Sequence, residues 1–399
     1  MPFFKTKIFA ALSVYALLSA RMLAVELGID VLEKQNFASL DGRRVGLVTN
    51  QTGVDSSGTK TRLILSRARN CKLIALFSPE HGLDGTEGAG RYVASRRDSA
   101  TGLPVHSLYG PTRKPSPQML NGIDTLVYDL QDIGCRSYTY ISTMAKCMEA
   151  CGEKGIEFVV LDRPNPLGGV RIEGPPMESR WISFIGQLPT PYVHGMTCGE
   201  LAKMANAFGW VQPRCKLTVV NMQGWGRQMT WADTGLRWVK PSPNIPNSSS
   251  PFYYVVTGMI GELAGFETGV GGSTPFEIAG TKSADAGRVT RAMQELHTPG
   301  VTFSPYASGF QGVRLRIEPH NDTNLTAVGI HLLSLFNAGT RPDLFARSRG
   351  EKLELFFKSY GSESIRSAIE NGTPVSRIVA GWSAGVARFQ AQRAPFLSY

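Results

Sequence analysis

Thr125-Leu126-Val127-Tyr128, running directly into Asp129-Leu130-Gln131-Asp132, is an apolar run without alternation that ends in a polar cluster. A strand exposed on one face alternates apolar and polar residues; a continuous run of this length reads as a strand buried on both faces, the habit of parallel sheets. The same signature occurs three more times. Val45-Gly46-Leu47-Val48 leads into Thr49-Asn50-Gln51, Leu73-Ile74-Ala75-Leu76 into Ser78-Pro79-Glu80-His81, and Phe158-Val159-Val160-Leu161 into Asp162-Arg163-Pro164-Asn165. In an open α/β sheet the carboxyl ends of the strands share one crevice, where ligands bind. Four loops bearing acids, amides, a histidine and an arginine therefore predict an enzyme with a converged pocket.

Helical stretches separate the runs. Thr143–Lys154 carries apolar residues at helical spacing, a short helix is expected near Ser116-Pro117, and Thr197 with Glu200 has capping-box spacing before Leu201, Met204, Ala205 and Phe208. Leu217–Val220 reads as a further strand. This alternation predicts an α/β fold with a Rossmann-like, doubly wound, mainly parallel sheet. The Pro- and Ser-rich run from Pro241 to Pro251 cannot continue a helix or a central strand. Residues 25–250 are expected to form the Rossmann-like catalytic domain, and 251–399 a smaller α+β domain closing the cleft, with a helix over Phe252–Leu263 and a strand near Val313–Ile317.

The N-terminus has its own character. Lys5 and Lys7 precede the apolar stretch from Ile8 to Leu18, with small residues at Ser19, Ala20 and Ala24. That stretch is shorter than the roughly 20 residues of a spanning helix, so residues 1–24 read as a secretory signal and the protein as exported, to the periplasm or the cell exterior. The formal charge is +10, and removing Lys5, Lys7 and Arg21 with the signal leaves about +7. Such a balance favours an anionic partner through long-range attraction. The basic residues are scattered, with no block suited to nucleic acid, and an anionic cell-wall glycan fits an exported protein better. Of the six cysteines none forms a CxxC pair, which argues against a zinc knuckle or a thioredoxin-type site.

Glu80 is the leading catalytic candidate. Pro79 holds Ser78 extended, Gly82 permits a tight turn after His81, and a carboxyl group at a crevice mouth can act as a general acid. The competing reading is a helix cap or a partner for Arg91. Asp129 and Asp132 form a second acidic cluster around Gln131; Arg136, Tyr138 and Tyr140 follow at alternate positions, which on an extended segment would share one side. At least one of the two aspartates is expected to hold its loop. Asp162, Arg163 and Asn165 make a rigid turn in which the arginine either binds a carboxylate or pairs with the aspartate. A metal site from Glu80, His81, Asp132 and His194 is the weaker alternative, since no HExxH spacing occurs. No GxGxxG follows the first apolar run and GxxxxGK[ST] is absent, and no cofactor or metal is expected.

Taken in order, Phe77–Gly82 (FSPEHG), Arg113-Lys114-Pro115, Tyr128–Gly134 (YDLQDIG), Tyr138–Met144 (YTYISTM), Leu161–Pro166 (LDRPNP), His194–Thr197 (HGMT) and Pro241–Pro246 (PSPNIP) resemble the NamZ-type exo-β-N-acetylmuramidases, peptidoglycan hexosaminidases long catalogued as a domain of unknown function. The resemblance covers roughly residues 28–290 motif by motif and the rest more loosely. It implies a Rossmann-like domain, a smaller C-terminal domain, a cleft between them, and release of terminal β-1,4-linked N-acetylmuramic acid from the non-reducing end of peptidoglycan fragments. The glutamate of the family's PEHG motif, its proposed catalytic residue, falls on Glu80. Two positions depart from the family pattern: Ser137 stands where an aromatic residue is usual, and Thr268 and Val270 replace the acid and arginine of an S-E-G-R-G-T stretch.

Glycoside hydrolysis needs an acid and, in most enzymes, a second carboxylate. The acid is assigned to Glu80; Asp129 or Asp132 would act as base, or orient the substrate's own acetamido group. Arg136 or Arg163, with Lys114, would meet the lactyl carboxylate, and Tyr138 and Tyr140 would stack on a sugar face. Asn50, His81, Gln131, Asp162, Asn165 and His194 complete the expected substrate-binding set. The partners expected are peptidoglycan-derived disaccharides or muropeptides, with no nucleic acid and no membrane beyond the export signal. A non-catalytic muropeptide-binding protein and a metal-dependent cell-wall hydrolase are the rivals.

Overall fold

The computed structural model describes residues 24–399; the export signal read over 1–24 lies outside them but for Ala24. Seven strands form the larger sheet: β1 (Arg44–Thr49), β2 (Lys72–Ser78), β3 (Arg96–Arg97), β4 (Pro104–Ser107), β5 (Thr125–Asp129), β6 (Glu157–Leu161) and β7 (Lys216–Val220). Their order is β3-β4-β2-β1-β5-β6-β7, all neighbours parallel except β3 against β4. All five apolar runs became strands of this sheet, and every residue of β5 is buried. The chain leaves β1 toward β2 on one side and returns with β5 on the other, so the strand order reverses between β1 and β5. Thr49 pairs with Asp129 at that edge, which brings their two loops together.

Helix Tyr140–Lys154 packs on the sheet and ends at Gly155, whose φ of 70° closes the last turn. Helix Cys198–Phe208 begins at the expected capping box, with Thr197 accepting from the Glu200 N–H and Glu200 returning the bond. Three local expectations are corrected. Residues 117–122 form turns, not a helix, because Pro117 and the left-handed Gly122 bound too few residues for a hydrogen-bonded ladder. Residues 135–139 are a turn that enters a helix at Tyr140, so Arg136, Tyr138 and Tyr140 do not share a face; alternation holds only for strands. The helix over 252–263 is broken into Ser250–Tyr253, a widened π-type turn at Tyr254–Gly258 and a tight turn at Ile260–Glu262.

The smaller domain has three antiparallel strands, β8 (Ile278–Thr281), β9 (Val301–Ala307) and β10 (Gln311–Ile317), in the order β8-β10-β9. Helices Ala286–Gln294 and Leu325–Gly339 cover it. One apolar cluster runs from Phe77, Tyr128 and Met144 of the first domain through Phe252 and Val256 to Val313 and Phe336 of the second. The two domains thus bury apolar surface against each other, the kind of contact that resists free relative motion. All six cysteines are buried as free thiols. Among the described residues no helix is long and apolar enough to cross a membrane.

Candidate active site

A cleft of about 620 Å³ opens where the carboxyl ends of β2, β4 and β5 face the smaller domain. Glu80, His81, Tyr109, Ser137, Tyr138 and Thr139 form one wall; Tyr254, Glu262, Phe266, Glu267, Thr268, Val270 and Phe276 form the other. Ser242 and Asn244, from the Pro-rich run, close one end. This volume suits a small saccharide, and aromatic side chains with a few convergent acids are the usual lining of such a site.

Glu80 stands two residues beyond β2 and is half-buried. Its Oε1 accepts the Gly90 N–H at 2.8 Å and its Oε2 accepts the Thr139 hydroxyl at 2.7 Å. Two donors on one carboxylate fix its orientation. No ion pair with Arg91 forms among the described residues. His81 takes a φ of 69°, a left-handed conformation strained for a side-chain-bearing residue, and its Nδ1 lies 2.8 Å from the Glu87 carbonyl. That bond ties back the 87–90 loop, which presents Gly90 to Glu80. Tyr138 reaches the cleft with its ring 4.9 Å from that of Tyr140, edge to face.

The remaining expected site residues are not cleft-lining. Asp129 is buried, accepts the Thr61 hydroxyl at 2.5 Å and pairs with Arg163 at 2.5 Å. Asp132 is buried with Oδ2 on the Gly134 N–H at 2.7 Å and Oδ1 without a partner; burial pushes its carboxyl up to about 7. Neither is placed to serve as the base. Arg136, fully buried, gives its guanidinium to the carbonyls of Pro175, Thr190, Ser359 and Tyr360. Lys114 points outward to Glu153 at 2.7 Å. Asn50 donates to the Tyr140 hydroxyl, which in turn donates to the Pro241 carbonyl; Gln131 bonds the Asp132 and Pro164 carbonyls. Asp162 accepts from Thr197, Gly199 and Tyr399, and Asn165 donates to Met196. His194 is buried, its Nδ1 accepting the Met196 N–H, and desolvation lowers it to about 3, so it stays neutral. Lys114 apart, these residues spend their polar groups on buried partners and hold the loops behind the cleft.

Two acids of the second wall escaped the sequence reading. Glu262 is half-buried, and burial, followed by the charge of Glu80, raises its carboxyl above the usual range, with Lys352 opposing. Glu267 is exposed at the cleft rim. Glu262 sits in what reads as an ordinary helix, and its only signal is an acid just before a glycine-rich segment. The departures from the family pattern do face the cleft: Ser137 bonds the hydroxyls of Tyr192 and Tyr254, Thr268 is buried, and Val270 is 52% exposed. The expected metal set of Glu80, His81, Asp132 and His194 is not assembled, since Asp132 and His194 are buried behind the cleft wall.

Fold and site define a two-domain α/β protein with an acidic, aromatic-walled cleft between a doubly wound sheet and a small antiparallel one. The chain belongs to the NamZ exo-β-N-acetylmuramidase family: the model of that family's N-terminal part matches residues 45–249 and that of its C-terminal part residues 252–399. It is 41% identical over 391 residues to the peptidoglycan β-N-acetylmuramidase NamZ of Bacillus subtilis, covering 96% of this chain and 93% of that one. Two crystal structures of DUF1343 family proteins from Bacteroides fragilis share the architecture. One superposes with a TM-score of 0.88 at 41% identity, the other with 0.69 at 28%; each comparison covers 94% of this chain and 99% of the other.

Proposed function

We propose that this protein is an exo-acting glycoside hydrolase that releases terminal, non-reducing β-1,4-linked N-acetylmuramic acid from peptidoglycan fragments. The observation that carries the reading is the facing pair Glu80 and Glu262 in one saccharide-sized cleft, in a chain closely similar to a peptidoglycan β-N-acetylmuramidase. Hydrolysis of a glycoside calls for one carboxyl group that holds a proton for the leaving oxygen and one that is ionised on the other side of the sugar. Pairs whose surroundings push their acidities apart divide these roles. The Gly90 and Thr139 donors fix the orientation of the Glu80 carboxylate, and burial raises the Glu262 carboxyl, favouring its protonated form. Glu262 therefore supplies the proton, and Glu80 acts on the anomeric side, as nucleophile, as base toward water, or by orienting the acetamido group. This exchanges the role read for Glu80 from sequence and replaces Asp129 and Asp132 as its companions. Tyr138, Tyr254 and Phe276 offer ring faces and edges to the pyranose.

Division of the chain at 250/251 and export by residues 1–24 belong to the same reading. The family models meeting between 249 and 252 support the first, and the basic start with its apolar core supports the second.

Purified protein is expected to split MurNAc-GlcNAc and leave GlcNAc-MurNAc intact. A 4-nitrophenyl leaving group needs no proton, so Glu262→Gln should lose disaccharide hydrolysis by about 10²- to 10⁴-fold while sparing the aryl muramide. Glu80→Gln should lose both substrates. If Glu80→Gln spares the aryl substrate instead, the two roles are reversed; binding without turnover by wild type would make the protein a muropeptide binder.

A further inference from the structure

The Arg113-Lys114-Pro115 motif takes no part in the catalytic pair or in the scaffold described above. Three cations were expected to meet the lactyl carboxylate, and the fold occupies each elsewhere: Arg136 with four carbonyls, Arg163 with Asp129, Lys114 with Glu153. Arg113 is held differently. Its guanidinium carbon lies 3.8 Å from the centre of the Tyr109 ring and 4.5 Å from that of Phe184. The two rings stand 6.1 Å apart, so the guanidinium is wedged against both. Stacking of this kind covers the flat faces of an arginine and leaves its in-plane N–H edge for an acceptor. Among the described residues no carboxylate pairs with Arg113, and it is only half-buried.

Its position relative to the chemistry is fixed by Tyr109. That ring lines the cleft beside Glu80, and Ile185, next to Phe184, lines it too. The Tyr109 hydroxyl is pushed up to about 12 by burial and then by the charge of Glu80, with Arg113 pulling the other way, so one phenol senses both groups. A cation seated on Tyr109, one ring away from the catalytic carboxylate and with no carboxylate partner among the described residues, matches a carboxylate carried on the sugar.

We propose that Arg113 binds the lactyl carboxylate of the terminal muramic acid and so sets the preference for that sugar over its glucosamine counterpart. This rests on the glycosidase reading and deepens it. The test compares 4-nitrophenyl N-acetylmuramide with the same compound bearing a primary amide in place of the lactyl carboxylate. Wild type should favour the acid. Arg113→Met should lower kcat/KM for the acid by about 10- to 100-fold, chiefly through KM, the size of a lost charge-assisted pair, and bring the acid-to-amide ratio toward one. Arg113→Lys, which keeps the charge but not the flat guanidinium, should fall between the two and covers the case in which Arg113→Met fails to fold. An unchanged ratio in folded Arg113→Met, or its collapse in Lys352→Met or Arg91→Met instead, overturns the assignment. A wild type that turns over neither compound overturns the glycosidase reading itself.

Discussion

Two carboxyl groups, one buried and one half-buried, show that burial alone does not mark a catalytic acid. Asp132 and Glu262 both have raised acidities with desolvation as the first cause, yet only Glu262 faces the cleft. Asp132 is better seen as a cost of the fold that varies with pH. Its folded pKa of about 7 lies above the ordinary carboxylate value of about 4, so the folded state holds the proton longer than the unfolded chain. Its contribution is most favourable below about pH 4 and is lost as pH rises toward 7. Asp132→Asn keeps an acceptor for the Gly134 N–H and cannot ionise. Thermal melts from pH 4 to 8 should therefore show the variant losing less stability than wild type across that window; parallel curves would remove Asp132 from the account. Glu80 and His81 were legible because strand-tip position singled them out, whereas Tyr138 was chosen on an alternation that the turn at 135–139 overturns. Asn50, Asp129, Asp162 and Asn165 carry the same chemistry at equivalent positions, and only their inward hydrogen bonds separate them from the site.

At the scale of elements, the loop from Pro79 to Gly90 is the device that makes Glu80 usable. His81 accepts backbone strain at φ 69° and anchors the Glu87 carbonyl, while Gly90 donates to Glu80. Replacing His81 by glycine relieves the strain and removes the anchor. Melting temperature should then change little while kcat drops about 10- to 100-fold, the effect of letting a reacting group drift by about an ångström; an unchanged kcat would show the loop holds its shape unaided. Strands buried on both faces and the Thr197 capping box were readable because each rests on neighbours in sequence. The widened turn at Tyr254–Gly258 was not. It sits in an apolar helical pattern, and it brings Tyr254 and Gly258 to the cleft, where π-type turns often mark function.

Across the whole molecule, the cleft exists because two domains are locked in register. Arg136 lies in the first domain, and its guanidinium reaches the Ser359 and Tyr360 carbonyls of the second as well as Pro175 and Thr190. Burial lowers it only to about 10, so it remains charged at neutral pH and satisfies four acceptors that would otherwise be orphaned. At the far end Arg393 returns to the Gly169 and His194 carbonyls, and the Tyr399 hydroxyl donates to Asp162. Arg136→Met should destabilise the protein by about 3 kcal/mol or more, since several buried carbonyls lose their donor together. Denaturant unfolding would measure it, and a loss below about 1 kcal/mol would mean that the shared apolar core alone holds the domains.

The five long parallel strands, the helices that follow the third and fourth apolar runs and the family were determined by the sequence itself, because apolar runs, caps and contiguous motifs act over a few residues. The partner carboxylate Glu262, the demotion of Asp129 and Asp132 to scaffold, the clamp at Arg136 and the seat of Arg113 between Tyr109 and Phe184 were decided only by tertiary structure. Each of these depends on groups far apart in the chain, and whether a polar side chain faces a cleft or a buried carbonyl is set by packing that no local pattern encodes.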